Sequence, residues 1–496
     1  MEATPAISDL ASTPAAQFKH PRGLSTLFFV EMWERFSYYG MRALLVLFMV
    51  DSVRGGMGLS DKTAASIYGL YTAAVYLAAL PGGWLADRIL GAQRAVWYGG
   101  LIIAAGHFTL AIPRTEAFYL GLCLVVAGTG LLKPNVSGIV GDLYPEGGFR
   151  RDAGFSIFYM GINLGAFIGP LVCGTLGEKH NWHYGFAAAG VGMLLGLVQY
   201  RFTQKNLGEA GLNPGNSRAL NSRQLAGLGG VLACLVLLIG AGMAGMIRFN
   251  PIAMAHGTTT VLVAIAVLYF GFILCFGGLD AVESKRIVSI MILCAAATLF
   301  WAGFEQAGSS FNLFAERYTR RDFGFVIPTS WFQSLGPIFV ISLAPVMGAL
   351  WIRLGRRNLD PSIPLKFSFG LILLGLGFLV MAGAAAFVAR GQKVWPTWLI
   401  LTYLSHTFGE LCLSPVGLSS VTKLAPRRFS GQMLGAWFLA TSLGNLVAGL
   451  IAGQFDPDAV SQMPGRFLQM VLLPIGVGLV MLALVKPMRR LFAGVH

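Results

Sequence analysis

Apolar residues follow one another along most of this chain in long runs that short polar segments interrupt. A run of roughly 17 to 25 mainly apolar residues can cross a bilayer as a helix. We count fourteen such runs, so the pattern predicts an all-α polytopic membrane protein with fourteen transmembrane helices. Their approximate bounds are Leu24 to Val50, Thr63 to Ala86, Ala95 to Ile112, Ala117 to Asp142, Ala153 to Leu176, Gly185 to Phe202, Leu225 to Ile247, Gly257 to Phe276, Ile287 to Ser309, Ser330 to Trp351, Leu365 to Val388, Trp395 to Val421, Gly431 to Gln454 and Phe467 to Val485.

The order of the runs predicts two related halves. A polar linker, Gln204 to Gln224, follows the first six runs; two glycine-rich runs and then six more come after it. The segment GWLADRILGAQR, Gly83 to Arg94, has a degenerate counterpart in GALWIRLGRR, Gly348 to Arg357. Two six-helix halves related by a repeat are what the major facilitator fold requires. We therefore expect an N-terminal bundle at 1–203, a linker with two additional helices at 204–286, and a C-terminal bundle at 287–496.

Composition agrees with a membrane location. Hydrophobic residues make up 55% of the chain and charged residues 12%, whereas soluble domains carry about 25% charged residues. If both termini are cytoplasmic, 22 of the 36 basic residues lie on the cytoplasmic side and 11 on the outside. Because cytoplasmic loops favour Lys and Arg, this asymmetry predicts a multi-pass membrane protein with both termini in the cytoplasm. The net charge of +14 then needs no nucleic acid as partner.

The segment GWLADRILGAQR resembles the loop between helices 2 and 3 of the major facilitator superfamily. Asp87, Arg88, Gly91 and Arg94 stand at the expected places. Its charged side chains could tie neighbouring helix ends together on the cytoplasmic side, which would make it a gating loop. The alternative is an ordinary basic cytoplasmic loop, since such loops are basic in any case.

Seven charged residues lie well inside the apolar runs, away from their ends. The cations are Arg35, Arg42 and Lys133, and the carboxylates are Glu31, Glu34, Glu305 and Glu410. At 100° per residue, those of the first run and Tyr38 form one stripe of a helix. Charges inside a membrane usually face the protein interior or a water-filled cavity and are functional. The alternative is a ladder of ion pairs that only locks helices together, although a single pair would be enough for locking.

The balance of these charges favours proton coupling. Three cations and four carboxylates leave a net charge of −1 when all are ionised. A zwitterionic ligand does not change this total, whereas one bound proton neutralises it, and an uncompensated charge is costly in an occluded cavity. Clustered carboxylates also make protonation easier for one another.

Five motifs carry a resemblance to bacterial proton-dependent oligopeptide transporters. The first is ExxERFxYYG, from Glu31 to Gly40; the others are GLLKPNV, FYMGINLGAFIGP, FWAGFEQAGSS and GELCLSPVGLS. They occur in order and cover nearly the whole chain, and the two additional central runs also resemble bacterial members. The resemblance implies proton-coupled uptake of di- and tripeptides by alternating access, in a protein that works as a monomer and needs no metal or other cofactor.

The resemblance also implies roles for individual residues. The peptide carboxylate would be held by Arg35 and Lys133, with Tyr38, Tyr39, Arg42 and Tyr76 nearby. The peptide amino terminus would be held by Glu410 with Asn163. Side-chain pockets would be walled by Trp301 and Trp437; for Trp437, a position in the interfacial aromatic belt is an equal alternative. Proton coupling would be carried by Glu31, Glu34 and Arg35 and, separately, by Glu305, which also lines the substrate site.

One departure from the family pattern is Gly336, where asparagine is usual before the proline of LGPIF. Three other functions remain as alternatives. A transporter of nitrate or another small anion is disfavoured because Glu410 would repel anions. A membrane enzyme lacks support, since no acidic metal motif, Ser/His/Asp pattern or phosphate loop occurs in the sequence. A channel is disfavoured because the buried charges are of both signs.

Overall fold

The computed structural model describes residues 19–145, 148–214, 222–247 and 249–492. Within these ranges the chain forms sixteen α-helices, and its only β-bridges are isolated. The helices are α1 Arg22–Val50, α2 Asp61–Leu85, α3 Ala92–Leu110, α4 Thr115–Asp142, α5 Gly148–Lys179, α6 Trp182–Thr203, α7 Ser222–Met243, α8 Pro251–Phe276, α9 Ala281–Phe304, α10 Ser310–Tyr318, α11 Leu335–Arg356, α12 Ile363–Val388, α13 Thr397–Leu424, α14 Ser430–Ala452, α15 Met463–Ala483 and α16 Val485–Leu491.

Each of the fourteen predicted runs overlaps a long helix, and the all-α polytopic membrane protein is confirmed. Ten helical segments in the described residues are long and apolar enough to cross a membrane. Helix α1 is not among them, because every stretch of 18 residues within it contains at least three charged side chains. Part of the predicted linker, 215–221, lies outside the described residues, as do Arg218 and Arg248, which were counted in the charge asymmetry.

The helices pack into two bundles, each with apolar cores of its own, and a smaller apolar cluster that includes Ala73 and Leu446 joins them. Helices α1 to α6 surround cores that include Leu44 and Leu132, and α9 to α15 surround a core that includes Phe367 and Leu371. Helix α8 packs along α2 and α14 but exposes most of its apolar side chains, as a helix against lipid does. The domain boundaries at 203 and 287 remain a prediction.

Side-chain bonds join the two bundles towards one end. Arg317 donates two hydrogen bonds to Asp61, at 2.5 and 2.8 Å, and the Asn312 Nδ2 donates to the Ala43 carbonyl at 2.8 Å. We call this end, where α1 stops and α2 starts, the closed end. The described hydrogen bonds and ion pairs between the bundles all lie in the half of the helices nearer to it.

Asp51 terminates α1 at the closed end. Its carboxylate accepts hydrogen bonds from the Trp182 Nε1 and the Arg54 backbone N–H, both at 2.9 Å. Burial alone would raise the pKa of Asp51, but the bonds from Trp182 and from the backbone, together with the Arg54 charge, lower that pKa below its usual range. The ionised form therefore stabilises this turn.

Candidate functional site

The charged stripe of α1 is buried. Glu31, Glu34 and Arg35 are at most 3% exposed. The Arg35 Nε donates a hydrogen bond to Glu34 and lies 3.2 Å from the Glu31 Oε1, one helical turn away. Two carboxylates thus share one guanidinium, which also lies 5.1 Å from the centre of the Tyr38 ring. This triad of Glu31, Glu34 and Arg35 carries one net negative charge when both carboxyls are ionised.

A second buried ion pair joins the two bundles. The Arg42 Nη2 lies 2.5 Å from the Glu305 Oε2, and the Arg42 Nε donates to the Tyr68 hydroxyl at 2.6 Å. Arg42 and Glu305 are 6% and 3% exposed. The bond connects α1 to the break between α9 and α10, so it links the N-terminal half to the C-terminal half.

The helix is broken at Glu305, and Gly308 lies in the same turn. A 3₁₀ turn, Glu305–Gly308, interrupts the helix between α9 and α10; such an interruption within a helix often marks a hinge. A Cβ atom added to Gly308 would overlap the Tyr68 hydroxyl and would lie 3.1 Å from the Arg42 Nε. Glycine therefore lets the backbone approach the ion pair closely.

Lys133 is a cation without an anionic partner. Its Nζ lies 4.3 Å from the centre of the Tyr76 ring, within the range of a cation–π interaction. Among the described residues no carboxylate lies within 4 Å of it. The negative charges of Glu34, Glu31 and Glu305 nevertheless act on Lys133 through space.

Glu410 is a carboxylate without a cationic partner in the C-terminal half. It lies on α13, is half-buried, and makes no ion pair with the described residues. The charges of Glu305 and Glu410 repel each other. In the N-terminal half, Asn163 on α5 donates a hydrogen bond to the Tyr159 carbonyl at 3.0 Å. The Tyr159 side chain is close enough to Glu410 to interact with its charge.

The two predicted tryptophans differ in their surroundings. Trp301 packs edge-on against Phe300 and Phe304, and its buried Nε1 has no hydrogen-bond partner in the described structure. Trp437 is 6% exposed and lies in the C-terminal core, where its ring leaves no space for a side chain at Gly417. The alternative of an interfacial position for Trp437 is therefore wrong.

Comparisons with known proteins identify the family. A model described as POT family matches residues 93–465. The chain is 44% identical to the peptide transporter YePEPT of Yersinia enterocolitica, over 97% of both chains. This chain belongs to the POT family. The predicted family is therefore confirmed, and as a member of it the protein is a transporter and not an enzyme.

Two further similarities extend over nearly the whole chain. The di-/tripeptide transporter of Lactococcus lactis subsp. cremoris is 35% identical over 99% of this chain and 100% of that protein. A crystal structure of a peptide transporter POT in complex with sulfate is 43% identical and superposes with a TM-score of 0.89, covering 95% of this chain and 96% of that one. The major facilitator fold is thereby confirmed.

The predicted gating loop of this POT protein connects α2 to α3. Asp87 and Arg94 are exposed and Arg88 is half-buried, and none of the three forms a hydrogen bond or an ion pair with the described residues. The role of the three side chains in gating remains a prediction, and in this conformation they tie no helix ends together. The neighbouring Gln93 does so instead, because its Nε2 donates to the carbonyls of Gly208 and Ala210 at 3.0 and 2.9 Å.

Sequence reasoning missed Tyr68 in this POT site. The signal was present, because Tyr68 and Tyr76 are eight residues apart on α2 and share one helix face. Gly336 lies at the start of α11, and a Cβ atom there would meet nothing within 4 Å. Within the described ranges no group of three His, Cys, Asp or Glu side chains is placed to hold a metal ion.

Proposed function

We propose that this POT family member is a proton-coupled symporter that takes up di- and tripeptides by alternating access. One observation carries the substrate assignment: Lys133 and Glu410 are opposite charges on opposite bundles, and each lacks an ion-pair partner among the described residues. A free peptide has a carboxylate at one end and an ammonium at the other, so it can complete both. The peptide transporters to which the chain is similar support this proposal.

The peptide carboxylate binds in the N-terminal half. Lys133 is its first partner, because Arg35 and Arg42 already contact carboxylates in the empty site. Tyr76 positions the Lys133 ammonium through its ring, and Tyr38 and Tyr39 lie beside the two guanidinium groups. Either guanidinium can donate two parallel hydrogen bonds to the ligand when its own partner becomes protonated.

The peptide amino terminus binds in the C-terminal half. An ammonium has three N–H donors and no acceptor, which suits the Glu410 carboxylate together with the Asn163 side-chain oxygen. The Asn163 Nδ2 already donates to the Tyr159 carbonyl, so its oxygen remains as an acceptor. Trp301 and Trp437 form the walls of the side-chain pockets.

The coupled proton binds to the carboxylates of the two buried ion-pair systems. The Glu31–Glu34–Arg35 triad has more anions than cations, and the Arg42–Glu305 pair holds the two bundles together. Protonation of Glu305 breaks that pair and favours opening of the closed end. No cofactor takes part, because the proton gradient drives transport.

The charge asymmetry of the loops supports an orientation with both termini inside. With both termini in the cytoplasm of a bacterial cell, the closed end faces outwards and the site is reached from the inside. Asp87, Arg88 and Arg94 then lie at the cytoplasmic end, where they act when the cavity closes on that side. The protein functions as a monomer with bundles at 1–203 and 287–496, and the helices at 204–286 contact lipid.

Uptake by the purified protein in liposomes tests the proposal. We expect labelled dialanine to accumulate when the outside is acidic, and dialanine amide and N-acetyl-dialanine to compete poorly, because each lacks one terminal charge. Lys133→Ala should abolish gradient-driven uptake, whereas Lys393→Ala, at an exposed lysine, should leave it unchanged. Equal competition by the amide, or normal uptake by a folded Lys133→Ala protein, would refute the assignment.

A further inference from the structure

The carboxylate of Glu178 connects the two bundles at the closed end. Glu178 lies in the last turn of α5, and its side chain is 4% exposed. It accepts hydrogen bonds from the backbone N–H groups of Thr329 and Ser330 at 2.7 and 2.8 Å. These two residues begin the 3₁₀ turn Thr329–Ser334, which leads directly into α11. A residue of the N-terminal half thus caps a helix of the C-terminal half.

This contact is electrostatically strong. The first N–H groups of a helix have no partner within the helix, and they carry a partial positive charge that favours an anion. Hydrogen bonds between ionised and neutral groups are roughly twice as strong as those between neutral groups. Separation of the bundles at this end would leave both the carboxylate and the N–H groups to be solvated again.

The same face of α5 carries further bonds to the start of α11. The Trp331 Nε1 donates to the Thr175 hydroxyl at 3.0 Å and to the Leu171 carbonyl at 3.2 Å. One turn further, the Ser334 hydroxyl donates to the Phe167 carbonyl at 2.7 Å. The α5 residues recur every three or four positions, so they form one stripe of the helix.

Gly174 brings this stripe close to the other bundle. A Cβ atom at Gly174 would overlap the Ser330 hydroxyl, so a side chain there would push the two helices apart.

Two charged groups face Glu178 from the C-terminal half. The Arg321 Nη1 lies 3.9 Å from the Glu178 Oε2, and the Arg321 Nη2 lies 2.9 Å from the Glu316 Oε2. Glu316 also accepts a hydrogen bond from the Thr329 hydroxyl. Arg321 thus offsets the repulsion between the two carboxylates, and the segment that starts α11 is held from both sides.

We infer that Glu178 is a positioning residue that keeps the closed end shut by capping α11 from the opposite bundle. The bonds exist only while the bundles touch, so Glu178 stabilises the conformation closed at this end relative to the one open at this end. Glu178 touches neither the proposed peptide site nor the buried ion pairs. The inference depends on the two-bundle fold and not on the identity of the substrate.

Distance measurements between spin labels test this inference without peptide or proton gradient. Labels at Val53→Cys and Gln392→Cys, in a background without native cysteines, report the separation of exposed loops of the two halves at the closed end. Glu178→Gln should increase the ratio of long to short distances on the order of tenfold, since it replaces charged hydrogen bonds by neutral ones. Glu116→Gln is the matched control, because Glu116 is exposed in the first turn of α4 at the same end.

A second variant covers the case in which Glu178→Gln does not fold. Trp331→Phe keeps an aromatic ring, although a smaller one, and removes the hydrogen bond that the Nε1 shares between Thr175 and Leu171, so it should shift the same ratio in the same direction by a smaller factor. Unchanged distance distributions in the folded variants would overturn the inference, as would an equal shift in Glu116→Gln. Transport of peptides can fail independently of either outcome, which separates this inference from the proposed function.

Discussion

Replacing Glu305 by Gln should uncouple transport from the proton gradient. In the structure the Glu305 carboxylate lies 2.5 Å from the Arg42 Nη2, and both side chains are buried. Removing one partner of such a pair typically costs about 3 to 5 kcal/mol, because the other charge remains buried without compensation. The Tyr68 hydroxyl, 2.6 Å from the Arg42 Nε, is a neutral partner and cannot balance that charge.

This cost falls mainly on the conformation in which the closed end is shut, because Arg42 and Glu305 are in contact only there. When the closed end opens, Arg42 gains water and loses little. A difference of about 3 kcal/mol would shift the ratio of the two conformations on the order of 100-fold. The closed end would then open whether or not a proton is bound, so accumulated peptide would leak back.

Liposomes distinguish accumulation from exchange. The Glu305→Gln protein should not accumulate labelled dialanine in a pH gradient, yet it should exchange labelled for unlabelled dialanine across the membrane at equal pH. Glu283→Gln is the control, since its pair with Arg428 is partly exposed and such pairs contribute only about 0 to 1 kcal/mol. Undiminished gradient-driven accumulation by a folded Glu305→Gln protein would refute the reasoning, because it would show that coupling does not need the Arg42–Glu305 pair.

Three other substitutions have defined outcomes. Glu410→Gln should weaken the binding of free-amine peptides by about 1.5 to 3 kcal/mol, and calorimetry should show partial rescue by Gly336→Asn; unchanged affinity would contradict the role of Glu410. Gly308→Ala should impair transport by displacing the buried ion pair, whereas Gly138→Ala, where a Cβ meets nothing within 4 Å, should not; equal activities would refute this. Asp51→Asn should lower the free energy of unfolding by about 1 kcal/mol at pH 7. Because the pKa of Asp51 is lowered in the folded protein, the carboxylate loses its stabilising effect only in acid, and thermal unfolding should show a smaller difference between the two proteins below about pH 4. A difference that does not depend on pH would contradict this role of Asp51.

The sequence predicts the helices and the α1 stripe because these depend on local periodicity. A repeat of 3.6 residues brings Glu31 and Arg35 to one face of a helix, and an apolar environment makes an inward direction favourable. The motifs similarly locate Lys133 and Glu410 on α4 and α13. These features need no information about how distant helices meet.

Contacts between distant segments could not be predicted in the same way. Arg42 and Glu305 are 263 residues apart, and nothing in the sequence distinguishes Arg42 from Lys133 as the partner of Glu305. The partner of Glu305 is set by the break after α9 and by the close approach of Gly308 to Arg42. The need for glycine at 308 becomes clear only when the position of Tyr68 is known. Trp437 was ambiguous for the same reason, because burial in a bundle and exposure at an interface require the same apolar neighbours in sequence.

The observed pairing suggests how peptide and proton binding are linked through Lys133. In the empty site the Arg42–Glu305 pair is neutral, the triad of Glu31, Glu34 and Arg35 carries one excess negative charge, and Lys133 interacts with that triad through space. A peptide carboxylate that binds Lys133 neutralises the positive charge that acts on the triad. The excess negative charge of the triad is then no longer balanced, so the triad should take up a proton when the peptide binds. We therefore expect peptide binding to remove protons from a weakly buffered solution containing a pH indicator. Lys133→Ala should abolish this uptake, because its triad is protonated before any peptide arrives, whereas Glu305→Gln should retain it. Proton uptake that survives Lys133→Ala and disappears in Glu305→Gln would show that the proton enters at Glu305 and not at the triad.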